Sequence, residues 1–361
     1  MSHNPVSPMS RRERVLAAID LKPLDRFPTD IWCVVEVAER LKEYAGTNEW
    51  RRVLDALDID GIMGVSPPYI GPEPPDLGEG RRQNEWGMVY ETQAYATGIY
   101  EEQVGYPLAD AETIDDLKRY PWPEPDWYDY SALPDLLAAQ GDRATMVGYT
   151  AVFYWHNQLR GLEASLIDTA LRPEYTAYLM QRVGEFFLEY HQRCFEAAAE
   201  MIDTTQVTDD FGSQTGLLIS KRSFERYYRP WMQRAMDLAK SYDIRVFHHD
   251  DGAIMELIPD LLEMGIDVLN PIQWRCKGMD RAEMGRLYAG KLCFHGGVDN
   301  QETLPFATAD DVREEVAYNL RTLGRAGTGY IIAPCHNIQA NTSMENILAL
   351  YQAPRDIPET A

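Results

Sequence analysis

The sequence predicts an α/β chain folded as a single (β/α)8 TIM barrel, on three observations. Eight short apolar runs, near residues 28, 63, 147, 206, 246, 269, 293 and 331, recur along the chain, and all but the second lead directly into helical periodicity. Polar and metal-capable residues crowd just after several of these runs, where a barrel carries its chemistry. No G-x-G-x-x-G or G-x-x-x-x-G-K-S/T phosphate turn is present, whereas an open doubly wound sheet usually carries a glycine-rich turn after its first strand.

Taken in order, residues 1–9 read as a disordered, Pro-rich tail and 10–355 as the barrel. Ser10 and Glu13 make an S-x-x-E capping box opening a helix over 11–20. Residues 26–32 form the first candidate strand, 36–44 and 48–57 two helices, and 61–65 the second strand. The rhythm breaks over 66–130, where Pro67, Pro68, Pro72, Pro74 and Pro75 cluster, then Pro121, Pro123 and Pro125. The alternation in 85–91 predicts a hairpin strand within this insertion at the barrel mouth. Strands then follow at 145–149, 204–208, 245–247, 268–270, 292–294 and 330–333. The helices between and after them cover 173–200, 220–241, 254–264, 281–287, 310–323 and 343–351, with an N-cap pair at Thr308 and Asp311.

Composition narrows the function. The 361 residues are 45% hydrophobic, enough for one large core. Lys and Arg number 34 against 57 Asp and Glu, a formal charge of −23, which disfavours nucleic acid and anionic membranes as partners. A small acidic substrate stays open, because a pocket can carry its own arginines. Cys33, Cys194, Cys276, Cys293 and Cys335 are widely spaced and form no C-x-x-C, so reduced thiols and a cytoplasmic protein are expected. The first nine residues lack the apolar core of a signal peptide, and no apolar run approaches membrane-spanning length.

Two clusters carry the candidate chemistry. The run 245–247 ends in His248, His249, Asp250, Asp251 and Gly252; the run 330–333 ends in Cys335, His336 and Asn337. Alternation points His249 and Asp251 one way and His248 and Asp250 the other. His249 and Asp251 therefore make a two-ligand arm that Cys335 or His336 would close, a set that suits zinc; the alternative is a hydrogen-bonded site without metal. Asp209 and Asp210, after the run 204–208, read as substrate-orienting or acid/base carboxylates, against a turn-and-cap role. Tyr154, Gln214, Asn270, Gln273 and Asp299 are the remaining pocket candidates. Asp60, ahead of its strand's apolar run, has the pattern of a turn residue. His295 reads as a partner of another site group or as a strand-end structural residue, and His156 and His191 as structural.

Several stretches resemble the uroporphyrinogen decarboxylase-like superfamily. They are 11–19 with 23–28, His249 to Gly252, 267–271, Gly296 to Asp299, and 333–338 with Glu345, Asn346 and Ile347. The resemblance spans nearly the whole chain and implies a TIM barrel and a homodimer. It also implies one of two chemistries: cofactor-free decarboxylation of a porphyrinogen, or zinc-dependent methyl transfer involving corrinoid proteins. On the first, Asp60 falls near the pyrrole-binding aspartate, Tyr154 near the substrate tyrosine, and His336 on the late Gly-His. Residues 27–36 lack the arginine-rich substrate loop, which argues against the true decarboxylase. On the second, the zinc ligands H-x-C and a late Cys align with His249, Asp251 and His336, with Cys335 one place earlier. A harder Asp/His set favours polarising an ether or alcohol oxygen over activating a thiolate. The expected function is thus zinc-assisted methyl transfer from a small O-, N- or S-methyl substrate to a corrinoid protein. The alternative is a decarboxylase or lyase acting on another acidic substrate.

Overall fold

A computed structural model of the protein describes residues 7–78, 80–95 and 98–356. Among them ten strands form two sheets. In chain order they are β1 (Ile62–Val65), β2 (Arg81–Gln83), β3 (Val89–Tyr95), β4 (Gly98–Gly105), β5 (Ala144–Thr150), β6 (Thr204–Val207), β7 (Arg245–His249), β8 (Val268–Asn270), β9 (Cys293–Val298) and β10 (Tyr330–Pro334). β1, β5, β6, β7, β8, β9 and β10 lie side by side in that order in one seven-stranded sheet, every pairing parallel. Helices connect them, so the sheet is covered as parallel sheets are.

The first expected strand, 26–32, is not a strand; it makes one isolated parallel bridge, Thr29 to Ile332, and Cys33 just past it makes another, to Ile338. Its hydrogen-bonding capacity goes elsewhere. Pro28 has no N–H, and the Thr29 N–H donates to the Asp60 carboxylate rather than to a ladder. The segment still touches both ends of the sheet: Asp30 N–H donates to Ile332 O, Ile332 N–H to Pro28 O, and Gly61 N–H to Thr29 O.

The pleat sorts the sheet into layers. Phe247, Val268, Cys293 and Ile331 form one apolar cluster with Ala144 and with Val15, Ala18 and Ile19 of the helix Arg11–Ile19. That helix, opened by the expected capping box at Ser10 and Glu13, plugs the lower end of the sheet. Two residues further along the same strands stand His249, Asn270 and His295, a polar layer above the apolar one. The opposite faces pack into the main core with the outer helices, including Pro173–Ala198 and Arg229–Ser241.

Between β1 and β5, β2–β4 form a small antiparallel sheet. The strand expected over 85–91 begins only at Val89, because Asn84 Oδ1 accepts from Trp86 and Met88 N–H and holds a turn there. Trp86 stacks on Trp155 and Phe187, Gln103 donates to Gln158 O, and the Ile99 N–H donates to Glu36. The helix expected over 254–264 begins later, at Ile258, and 220–241 carries a π-turn at Phe224–Tyr228.

Residues 1–6 of the expected tail lie outside the described residues; Met9 is pinned by its N–H to Asp25 and its carbonyl to Arg14. All five cysteines are free. No helix among the described residues is long and apolar enough to cross a membrane.

Candidate active site

The end of β7 and the loops that leave β7 and β10 bring His249, Asp251 and His336 together, with one donor atom of each lying within 4.8 Å of the others. His249 Nε2 is 3.8 Å from Asp251 Oδ1, and His336 Nε2 is 3.9 Å from Asp251 Oδ2. Asp210 Oδ1 approaches His249 Nε2 at 3.7 Å from the loop after β6. The Trp32 ring walls this cluster, with centroids 5.5 Å from His249 and 6.3 Å from His336.

Backbone contact between two loops fixes the arm. A Cβ on Gly212 would fall 2.1 Å from the Asp251 carbonyl, and Gly252 adopts φ +90° against Gly212. Asp250, pointing away from Asp251, locks the crossing by accepting from the Phe211 and Gly212 N–H groups. Gln273 Oε1 accepts from Gly252 N–H on the other side.

Beneath the cluster runs a hydrogen-bonded row across β7, β8 and β9. His249 Nδ1 is 2.6 Å from Asn270 Oδ1, Asn270 Nδ2 is 2.7 Å from His295 Nδ1, and His295 Nε2 is 2.9 Å from Asp30 Oδ2. The row follows the sheet register, in which His249 pairs with Asn270. Asn270, His295 and Asp30 are buried.

The electrostatics favour a cation. Asp251 Oδ1 is buried and has no hydrogen-bond partner. Burial chiefly, with the neighbouring Asp251 charge adding to it, holds Asp210 protonated to higher pH than an ordinary carboxyl. Burial lowers the His336 pKa, opposed by the Asp251 carboxylate, so its ring is neutral near pH 7. Two imidazoles and a carboxylate with an orphaned oxygen suit a borderline divalent ion. His336 Nδ1 accepts from the Asn337 N–H at 2.8 Å, so ligation through its Nε2 would exchange that hydrogen bond.

Other expected site residues fall elsewhere. Cys335 is not in the cluster; its thiol donates to Ile272 O at 3.1 Å and borders a separate void of about 10 Å³ beside Cys276, Arg275 and Asp299. Burial raises its pKa well above that of a free thiol. Asp60 lies ahead of β1, fully buried between Arg14 (2.5 Å) and Arg26 (2.8 Å), away from the strand ends that carry the cluster. Asp209 is a buried cap: its carboxylate accepts from Phe153 and Tyr154 N–H at the start of the helix Val152–Arg160. His248 faces away from His249, with Nδ1 on Val207 O at 2.7 Å, and burial pushes its pKa down to about 4.

The Tyr154 phenol, pushed up to about 12 mainly by burial, feels the Asp210 charge. Gln214, Gln273, Asp299 and Asn337 spend polar atoms on the loops that carry the site, Asp299 accepting from the N–H groups of Gln301, Glu302 and Thr303 and pairing with Arg275. Sequence reasoning missed Trp32 and Asp30 as site groups; the only signal was their place at the end of the first apolar run.

The fold and cluster define a TIM-barrel-like α/β protein with a strand-end site. The uroporphyrinogen decarboxylase (URO-D) profile matches residues 101–357, and the chain belongs to that family. A comparison with curated proteins finds no match. Among solved structures, a methyltransferase from Methanosarcina mazei is similar over 97% of this chain and 99% of its own, at 17% identity and TM-score 0.62. A B12-independent methionine synthase from Shewanella sp. W3-18-1 is matched over 63% of this chain and 64% of its own, at 11% identity and TM-score 0.42.

Proposed function

We propose that the chain is an enzyme that moves a methyl group from a small O-, N- or S-methyl compound to a corrinoid protein, with zinc held by His249, Asp251 and His336. One observation carries this reading: nitrogen and oxygen donors from the end of β7 and from the loops after β7 and β10 converge, and the Asp251 carboxylate among them keeps a buried oxygen, Oδ1, without a partner. Bound there, zinc supplies Lewis acidity toward the substrate heteroatom that carries the methyl group. Asp210, protonated to higher pH than usual and beside His249, delivers a proton to the heteroatom as the methyl group departs. Trp32 and Tyr154 exclude water and orient the substrate, and Asp209 keeps Tyr154 in place through its backbone N–H. In this reading Pro28 and Thr29 act as an eighth stave closing the barrel, and 66–130 is an insertion over its rim.

The decarboxylase alternative requires Asp60 to face a substrate cation, yet its carboxylate is already taken by Arg14, Arg26 and the Thr29 N–H. The test is zinc-loaded protein with cob(I)alamin and a panel of methoxy, methylamino and methylthio compounds. Formation of methylcobalamin, seen by its absorption spectrum, supports the proposal. No methylcobalamin from any donor class, with zinc bound, overturns it.

A further inference from the structure

We infer that Asp30, acting through His295 and Asn270, fixes which nitrogen of His249 carries its proton and so holds Nε2 bare toward Asp251 and His336. The inference deepens the metal reading above and rests on it for its consequence, but not for its geometry.

Asp30 must accept on both oxygens: Oδ1 from the Ile62 N–H at 3.2 Å, Oδ2 from His295 Nε2 at 2.9 Å. A carboxylate has no proton to give, so the hydrogen lies on His295 Nε2. In a neutral ring His295 Nδ1 is then an acceptor, and the group facing it at 2.7 Å is a donor, the Asn270 amide nitrogen. That orientation has an independent support, because the same nitrogen lies 3.5 Å from the His295 carbonyl, which only a donor satisfies. The amide oxygen therefore faces His249 Nδ1 at 2.6 Å and requires a proton there. In a neutral ring the other nitrogen is left with a lone pair, and it is the one aimed at the Asp251 carboxylate. Asp30, His295 and Asn270 are positioning residues: none touches the cluster's centre, yet together they choose the face His249 presents.

The row has a polarity that one substitution reverses. In Asp30→Asn only one acceptor remains for two donors. If the amide oxygen keeps the Ile62 N–H, the new NH2 faces His295, whose proton moves to Nδ1. Asn270 turns over to receive it, and its NH2 then faces His249 Nδ1. His249 ends with its proton on Nε2, where it blocks ligation. Asn270→Asp is the contrasting change: its carboxylate accepts from His249 Nδ1–H and, through its other oxygen, from His295, which takes a second proton on Nδ1 between the carboxylates at 30 and 270, so His249 Nε2 stays bare.

The experiment has two readouts on the full-length protein. In metal-free protein, imidazole ¹⁵N shifts assign the tautomer of His249. In competition with a chromophoric chelator, zinc affinity is measured for the parent and both variants. The expected result is a bare Nε2 in the parent and in Asn270→Asp and a protonated Nε2 in Asp30→Asn. The zinc affinity of Asp30→Asn should be about 10- to 100-fold lower, with Asn270→Asp near the parent. A parent His249 protonated on Nε2, or folded Asp30→Asn with parental tautomer and affinity, overturns the inference. Absence of zinc binding by a parent with bare Nε2 would contradict the metal reading and leave the tautomer assignment standing.

Discussion

The rings of His249 and His336 lie with centroids 5.8 Å apart and planes at 66°, both against Trp32. They come from opposite sides of β8 and β9 in the chain, and only curvature of the parallel sheet brings them together. This convergence makes a metal-capable cluster out of three individually ordinary residues.

Removing either ring should abolish tight zinc binding while sparing the fold. His249→Ala and His336→Ala are each expected to weaken zinc affinity by about 100-fold or more, since three donors become two. Cys335→Ala should leave affinity within twofold of the parent, because that thiol faces Ile272. Equilibrium competition with a chelator distinguishes the three variants.

How much of this was legible in the sequence follows from where each residue sits on the pleat. His249 and Asp251 were legible as a pair because alternation operates along β7 and for two residues beyond it. The choice between Cys335 and His336 was not, because β10 stops at Pro334 and the chain bends through the next two residues, where alternation no longer applies. Seven of the eight expected strands formed, most of them buried runs, though β1 buries only Val65 and β6 reads Thr-Thr-Gln-Val. The eighth, 26–32, gives its Thr29 N–H to the Asp60 carboxylate, a tertiary contact invisible in local pattern. Asp60 was misplaced by resemblance. Its position ahead of β1 puts it away from the C-terminal strand ends where barrel chemistry sits.

Asp60 should matter for stability and not for the metal. Asp60→Asn removes the buried charge that Arg14 and Arg26 share, while Arg14 keeps Asp25 and Arg26 keeps Asp58 at 3.5 Å, an expected loss of about 1.5–3 kcal/mol. Urea unfolding should register it, while zinc affinity of the folded variant stays unchanged. A folded, equally stable variant with lost activity would point instead to the decarboxylase role.

The crossing of the two loops gives a steric test. Gly212→Ala should cost about 2–4 kcal/mol and displace Asp251, lowering zinc affinity, because its Cβ would meet backbone at 2.1 Å. Gly216→Ala, four residues on, meets nothing within 4 Å and should change stability by less than about 0.5 kcal/mol. Thermal unfolding with and without zinc separates them.

His191 is fully buried beside Thr150, and burial pushes its pKa down to about 3. The unfolded chain binds the proton near pH 6.5 and the folded chain does not, so the fold loses stability as pH falls from 6.5 toward 3. Above 6.5 both states are neutral and nothing is lost. Between pH 7 and pH 5 the loss from this one group is about 2 kcal/mol. His191→Gln should remove it, flattening the acid side of the stability curve by that amount in urea titrations at the two pH values.

The most direct measurement is X-ray absorption at the zinc edge on the reconstituted protein. The account predicts one zinc per chain bound only by nitrogen and oxygen, at about 2.0–2.2 Å, with signal lost in His249→Ala. A sulfur scatterer near about 2.3 Å, or no stoichiometric zinc at all, would contradict it.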